Sequence, residues 1–225
     1  MPLRVLSYNV HGQGDDRTAL AAVVRGLAPD VVVVQEGPRR LRWRQKTASL
    51  ADRLGMVVAA GGLPSLGNVL LTSLRVRVEE TWCLRYPLTP GRHLRGAVFA
   101  CCTMPGAAFA VTGSHLASDP VERPMQAAAW RAAIAEVDLP VIAAADTNDD
   151  PGGAAWTVAS KGLVDAAEAA GRADRPTFPA AGATRRIDGV FLDPRIGVVG
   201  YDVVDTPEAR RASDHLPVLV DLRLP

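Results

Sequence analysis

Acidic, amide and imidazole side chains lie at the ends of several apolar runs in this sequence, and the last group precedes its run. They are Asn9, Gln35-Glu36, Ser114-His115, Asp146-Thr147-Asn148, Asp188 and Asp214-His215. In α/β sheets, ligand sites gather at strand ends, where loops present side chains from a rigid base. Each group alone has an ordinary explanation: a turn residue for Asn9, an Asx turn or helix cap for Asp146 and Asn148, a core imidazole for His115. Six such groups at six strand ends favour a functional site.

The residue types in this set suit one kind of chemistry. Carboxylates together with asparagine, and without a thiolate, are the ligands that a hard cation such as Mg²⁺ or Mn²⁺ prefers. No His/Cys spacing indicates a zinc site. Because Mg²⁺ is usually held by one or two carboxylates plus waters and substrate phosphate, the set predicts metal-assisted attack on a phosphoester.

Composition limits the class of protein. The chain has 225 residues, of which 48% are hydrophobic, and a formal net charge of +1. This length is sufficient for one α/β domain over residues 1–225, and the balanced charge gives no global steering toward nucleic acid or anionic membranes. No apolar run is long enough for a signal peptide or a membrane span. The odd number of cysteines, with Cys101-Cys102 inside an apolar run, predicts free thiols, and we expect a cytoplasmic protein.

Strand and helix signals alternate along the chain. Asp16 is the expected N-cap of a helix over 17–28, Pro29 follows it, and Gly55 closes an amphipathic helix over 39–55. The β-branched run 30–36 is typical of a strand buried on both faces. The other predicted elements are a helix over 121–136, a strand over 141–146, mostly helical residues over 153–170, and an irregular segment over 170–186.

Six motifs give the sequence a resemblance to a known family. "SYNVHG", "VVVVQE", "TGSHL", "AADTND", "RRIDGVFL" and "SDHLPV" occur in the order and approximate spacing of the endonuclease/exonuclease/phosphatase superfamily, from residue 5 to residue 220. That group includes pancreatic deoxyribonuclease, abasic-site endonucleases, sphingomyelinases and inositol polyphosphate 5-phosphatases. The resemblance implies an α/β fold of the deoxyribonuclease I type. This is a four-layered sandwich of two packed mixed β-sheets flanked by helices, with the site at one end.

The resemblance also implies a role for each matching residue. The expected metal ligands are Glu36, as the principal ligand, with Asp214 and Asn9 near the same ion. Asp146 would orient or deprotonate the attacking water, with Asn148 as its amide partner. The phosphate-contacting imidazoles would be His215, held by Asp188, and His115.

Three functions are compatible with these roles. The first is a divalent-metal-dependent phosphodiesterase that cleaves nucleic acid, and the alternative is a phospholipid or phosphoinositide hydrolase. A non-catalytic binding module on the same fold is disfavoured, because it would not need to retain the whole catalytic set. We expect a monomer with no obligatory protein partner.

The preference for nucleic acid depends on "PRRLRWRQK", residues 38–46, directly after Glu36. Its cations could track a phosphate backbone, and Trp43 either stacks on a base or packs inward. The expected substrate-contacting residues are Arg39, Arg40, Arg42, Arg95 and His11.

Overall fold

Two six-stranded sheets form the centre of the protein, whose computed structural model describes residues 2–225. The strands are β1 (Pro2–Asn9), β2 (Val31–Gln35), β3 (Val57–Gly61), β4 (Val69–Thr72), β5 (Arg77–Arg85), β6 (Gly96–Met104), β7 (Ala107–His115), β8 (Val141–Asp146), β9 (Val164–Asp165), β10 (Asp188–Leu192), β11 (Gly197–Val203) and β12 (Val218–Arg223). The helices are α1 (Arg17–Leu27), α2 (Trp43–Leu54), α3 (Glu122–Ala135), α4 (Ala154–Ser160), α5 (Ala166–Ala169) and α6 (Pro207–Ala212), with a 3₁₀ turn at His11–Gln13.

The first sheet has the strand order β11-β12-β1-β2-β4-β3 and joins the two ends of the chain. β1 pairs with β12 in antiparallel register and with β2 in parallel register. The parallel pairing places Asn9 opposite Gln35, so that the ends of β1 and β2 coincide. The residues before β12 arrive at this same edge, because Val218 pairs with Ser7.

The second sheet has the order β5-β6-β7-β8-β10-β9. Its only parallel pair among residues 2–225 is β7 with β8, and this pair places His115 opposite Asp146. β8 pairs with β10 in antiparallel register, with Asp146 opposite Asp188. Three strands therefore bring their polar terminal residues into one row.

The two sheets pack face to face with helices outside them, which confirms the predicted four-layered sandwich. Leucine and valine residues of α1 and α2 join the core of the first sheet, and Trp130 of α3 and Trp156 of α4 belong to a second cluster on the outer face of the other sheet. The sheets approach closely at Gly113 in β7, where a Cβ atom would lie 2.4 Å from Val33 Cγ1. Only glycine fits this contact without displacing the valine.

Several predicted boundaries shift in the structure. The helix predicted over 17–28 is α1, and the side chain of Asp16 caps it by accepting hydrogen bonds from two backbone N–H groups. The helix predicted over 39–55 begins only at Trp43, because Arg42 has a left-handed φ of 61°, and it ends before Gly55 as expected. The segment 153–170 is mostly helical, as predicted, but it forms two helices, α4 and α5, which β9 separates.

Three further findings concern a short helix, the cysteines and the length of the helices. α6 has no counterpart among the predicted elements; it is a short helix whose N-cap Thr206 accepts a hydrogen bond from Ala209 N. Cys83, Cys101 and Cys102 are free thiols, as predicted. Within residues 2–225, none of the helices is both long enough and apolar enough to cross a membrane.

Candidate active site

A row of buried polar residues lies at one edge of the second sheet. His115, Asp146 and Asp188 end or begin adjacent strands and are register partners. Each is at most 5% exposed, which is unusual for ionisable side chains unless they have partners. The β-strands carry them to this edge because the neighbouring residues of each strand form apolar runs that pair along their length.

His215 and Asp188 form a buried hydrogen-bonded pair, as predicted. Nδ1 of His215 lies 2.9 Å from Oδ2 of Asp188. Burial lowers the pKa of His215, but Asp188, through its charge and hydrogen bond, and the charges of Asp146 and Asp214 together raise it to about 10. The imidazole is therefore protonated at neutral pH, with Nε2–H available to an anionic group.

The carboxylate of Asp146 is held in place by two amide donors. Asn9 Nδ2 donates to its Oδ2 at 2.9 Å, and the backbone N–H of Asn148 donates to its Oδ1 at 3.0 Å. The same Oδ2 lies 3.7 Å from His215 Nε2. Asn9 comes from the first sheet and Asp146 from the second, so this carboxylate is fixed at the junction of the two sheets.

His115 lies on the other side of Asp146 and differs from His215 in charge. Burial lowers the pKa of His115 to about 3, although Asp146 Oδ2 is only 3.3 Å from its Nε2. Because no hydrogen bond to the carboxylate compensates for burial, the neutral ring is favoured. Asn148 Nδ2 faces Nε2 at 3.1 Å, which places the ring proton on Nδ1. Within the described chain Nδ1 has no hydrogen-bond partner, and it lies 3.8 Å from Glu36 Oε1.

Oxygen ligands suitable for a hard cation lie beside this row. Glu36 directly follows β2 with a left-handed φ of 55°, a conformation that costs free energy in a non-glycine residue. Its half-exposed carboxylate accepts no hydrogen bond from residues 2–225. Asp214 is also half-exposed, and Asn9 Oδ1 accepts one hydrogen bond, from His11 N, which leaves it a further lone pair. This donor set fits a divalent cation such as Mg²⁺.

A second arrangement of possible ligands overlaps the row itself. In residues 2–225, the single group of three or more His, Cys, Asp or Glu residues whose donor atoms lie within 4.8 Å of one another is Asp146, Asp188 and His215. Within this group Asp188 Oδ2 already forms a hydrogen bond with His215 Nδ1. The predicted ligand set of Glu36, Asp214 and Asn9 stays a prediction.

The predicted substrate-contacting residues surround this centre. Arg95 is partly buried, its Nε has no hydrogen-bond partner in the described residues, and burial lowers its pKa against the opposing charges of Asp146 and Glu36. His11 lies 2.8 Å from Asp15 Oδ2 and 3.8 Å from Asp214 Oδ1, and the hydrogen bond with Asp15 raises its pKa.

The basic segment after Glu36 also lies at the site. Arg39, Arg40 and Arg42 line one cavity together with Glu36. Trp43 is partly buried: the guanidinium of Arg44 lies 4.4 Å from the centre of its ring, and a Cβ atom at Gly62 would come within 2.4 Å of it. The ring keeps a partly exposed surface beside Leu63.

Two residues that the sequence analysis missed support His215. The ring of Phe178 lies 4.8 Å from the imidazole, between ring centres, and limits its movement. Ser213 Oγ donates to Asn9 O at 2.7 Å and accepts from His215 N at 3.3 Å, which ties the last motif to the end of β1. Phe178 lies in the segment predicted to be irregular, and no local pattern distinguishes it.

The sequence matches the family described as "Endonuclease/Exonuclease/phosphatase family" over residues 6–215. None of the curated proteins matches it significantly. A protein of this family from Bacteroides thetaiotaomicron has a similar structure, with a TM-score of 0.82 and 21% identity over 100% of this chain and 98% of that one. A mannosyl-6-phosphatase from the same organism gives 0.81 and 19%, over 99% and 100%. D. rerio TDP2 complexed with a single-strand DNA product gives 0.77 and 22%, over 99% of both chains. At these sequence identities the structural similarity shows the fold alone.

Proposed function

Because this chain belongs to the endonuclease/exonuclease/phosphatase family and is a phosphoester hydrolase, we propose that it is a divalent-metal-dependent phosphodiesterase that cleaves nucleic acid. The observation that carries the proposal is the convergence of polar residues from both sheets. Asn9 of β1 contacts Asp146 of β8, which in turn lies between a neutral imidazole, His115, and a protonated one, His215.

Asp146 is the proposed proton acceptor. Its two amide donors hold the carboxylate in one orientation. A positioned carboxylate of this kind can orient the water and accept its proton as the new P–O bond forms. Asn148 orients two residues of the site: its backbone N–H orients Asp146, and its side-chain amide orients His115.

The two histidines are proposed to bind the scissile phosphate in different ways. His215, protonated beside Asp188, pairs with a phosphoryl oxygen as a charged donor, and this contact strengthens as negative charge develops. His115 is neutral, and its Nδ1–H is an uncharged donor that faces the Glu36 side of the site. Arg95 adds a second positive charge at the same centre.

Glu36, Asp214 and Asn9 are the residues proposed to hold the cation. When bound there, a divalent ion would supply Lewis-acid stabilisation of charge on the phosphoryl oxygens. The half-exposed carboxylates keep the position open toward substrate, and the strained backbone at Glu36 is consistent with a functional constraint.

Nucleic acid is the proposed substrate because cationic side chains adjoin the proposed metal ligand. Arg39, Arg40 and Arg42 share a cavity with Glu36, and phosphate contacts by such residues supply most of the affinity of non-specific nucleic-acid binding. One structural relative was crystallised with a single-strand DNA product, and another is a mannosyl-6-phosphatase.

A substrate screen tests the proposal. The purified protein is assayed with Mg²⁺ or Mn²⁺ against single-stranded and duplex DNA, RNA, sphingomyelin, inositol phosphates, a sugar phosphate and bis-p-nitrophenyl phosphate. We expect metal-dependent cleavage of nucleic acid that Asp146→Asn lowers by roughly two orders of magnitude or more. Asp138→Asn, an exposed aspartate, serves as the control. Turnover confined to lipid or inositol phosphates would replace nucleic acid by the alternative class.

A further inference from the structure

A cavity of about 820 Å³ adjoins the proposed metal ligand Glu36 and extends between the start of α1 and one face of α2. We refer to it as the α1–α2 cavity. Its size lies in the range of pockets that hold a small-molecule-sized group, such as one nucleotide. Unlike most such pockets, it is lined by cations: Arg17, Arg39, Arg40, Arg42, Lys46 and Arg53. Glu36 is the one acidic residue among its described lining residues.

The helical part of the wall follows from the amphipathic pattern of α2. Thr47, Leu50, Ala51 and Leu54 are the buried residues of this helix and face the core. The lining residues Arg42, Gln45, Lys46, Ser49 and Arg53 recur at the three- and four-residue spacing of one face. Arg42 to Arg53 covers ~16 Å along the helix axis at 1.5 Å per residue, so the cations form a line along α2.

These cations have no carboxylate partners in the described chain. Eleven arginines elsewhere lie within 4.0 Å of a carboxylate oxygen. Among residues 2–225, none of the six cations of the α1–α2 cavity forms such a pair. The side-chain contacts that Arg17 and Arg39 make are with backbone carbonyls, Gln13 O and Leu66 O, which do not neutralise them. The cavity is therefore a concentration of six positive charges, with Glu36 as the one negative charge among its described lining residues.

The first turn of α2 adds to this charge. Arg42 occupies the N-cap position without a side-chain hydrogen bond to the helix, and the first turn contains no acidic residue. The positive end of the helix dipole is thus not offset locally, and this end lies at the cavity wall.

We propose that the α1–α2 cavity binds a non-scissile phosphate of the same nucleic-acid strand whose scissile phosphate lies at the row of His115, Asp146 and His215. The inference rests on the proposed function and extends it to substrate selection. The cations at the far end of the cavity, Lys46 and Arg53, would favour substrates with at least one phosphate beyond the one that is cleaved.

Equilibrium binding and hydrolysis together test the proposal with the full chain. The cavity variant is Lys46→Gln/Arg53→Gln, which removes two charges and retains residues compatible with a helix. The charge-matched control is Arg172→Gln/Arg223→Gln, at two exposed positions outside the cavity. Binding of a fluorescent oligonucleotide of about 10 nucleotides is measured by anisotropy in EDTA over a range of salt. Hydrolysis of the oligonucleotide and of bis-p-nitrophenyl phosphate, which has a single phosphate, is measured with Mg²⁺.

We expect the cavity variant to bind the oligonucleotide about tenfold more weakly, from the loss of charge-assisted contacts. Its salt dependence should flatten by about 0.7 in logarithmic slope per lost phosphate contact. The ratio of kcat/KM for the oligonucleotide to that for the small diester should fall by a similar factor, and the control variant should match the parent protein in all three measurements.

The experiment distinguishes failure of the cavity inference from failure of the proposed function. If the parent cleaves the oligonucleotide, and the cavity variant keeps the parent's affinity and salt slope, the cavity inference is wrong and the proposed function stands. If the parent neither binds nor cleaves the oligonucleotide but hydrolyses another phosphoester, the proposed nucleic-acid function is wrong, and this inference is wrong with it.

Discussion

The pairing of His215 with Asp188 predicts both the direction and the magnitude of the change in the pKa of His215 when Asp188 is replaced by asparagine. In Asp188→Asn the His215 ring stays buried, and burial, the largest single influence on its pKa, lowers that pKa. The substitution removes the charge of Asp188 and its charged hydrogen bond, both of which raise the pKa in the parent. The pKa of His215 should therefore fall from about 10 toward the ordinary value of 6.5 or below. A fall of that size corresponds to roughly 5 kcal/mol in the free energy of the protonated ring, at about 1.36 kcal/mol per pKa unit.

Both stability and activity should follow this change. The folded-state pKa of His215 in the parent is raised, so its stabilising contribution is complete below pH 6.5 and is lost as the pH rises from 6.5 through about 10. In Asp188→Asn this contribution should largely disappear at pH 8. Hydrolysis should fall by roughly two orders of magnitude or more, because the neutral ring cannot pair with an anionic phosphate as a charged donor.

The assay combines NMR titration of the imidazole in metal-free protein with pH profiles of kcat. Asp193→Asn is the matched control, since Asp193 follows the opposite end of the same strand, β10, and pairs with Arg195. We expect this control to leave the titration of His215 unchanged. If His215 of Asp188→Asn still titrates near 10, or if its kcat equals that of the parent at pH 8, then Asp188 does not hold the imidazole in its protonated form.

Three further predictions concern the metal, the neutral histidine and the packing of the sheets. Glu36→Gln should abolish metal-dependent hydrolysis, because a neutral amide binds a hard dication far less well, and it should leave the circular dichroism spectrum unchanged. Normal turnover by this variant at low metal concentration would contradict the assignment of Glu36 as a metal ligand. His115 should stay neutral from pH 8 down to pH 5 in metal-free protein, because burial lowers its pKa to about 3, and titration near 6.5 in an NMR experiment would refute this. Gly113→Ala should destabilise the fold by about 1–3 kcal/mol in urea denaturation, since its Cβ would overlap Val33, whereas Gly26→Ala, which meets no atom within 4 Å, should not. Equal stabilities for these two variants would contradict the close contact between the sheets.

Local sequence patterns determined much of the secondary structure. The run from Val31 to Val34 is apolar and β-branched, and it forms a strand that is buried on both faces. Asp16 and Gly55 were identified as helix boundaries because capping and left-handed conformations depend on one or two residues. The motifs at strand ends were visible for the same reason, since a polar residue after an apolar run is a local signal.

The sequence patterns did not determine features that depend on contacts between distant residues. The start of α2 depends on the left-handed conformation of Arg42, and α6 is too short to show a hydrophobic period. Phe178 reaches His215 because the chain folds back near β12, where Leu216 N donates to Thr177 O. None of these contacts has a counterpart in the spacing of neighbouring residues.

The site shows the same division. The sequence identified His115, Asp146 and Asp188 as separate candidates with chemical roles, and the family resemblance assigned those roles. Only the pairing of β7, β8 and β10 shows that they are register partners at one edge, and only the packing of the two sheets brings Asn9 to 2.9 Å from Asp146. Likewise, the cations after Glu36 were visible as a basic run, but the charge of Arg17 joins them only through the packing of α1 beside α2. Residue type and local periodicity are properties of short segments, whereas strand register and the distance between layers are set by side-chain packing across the whole chain.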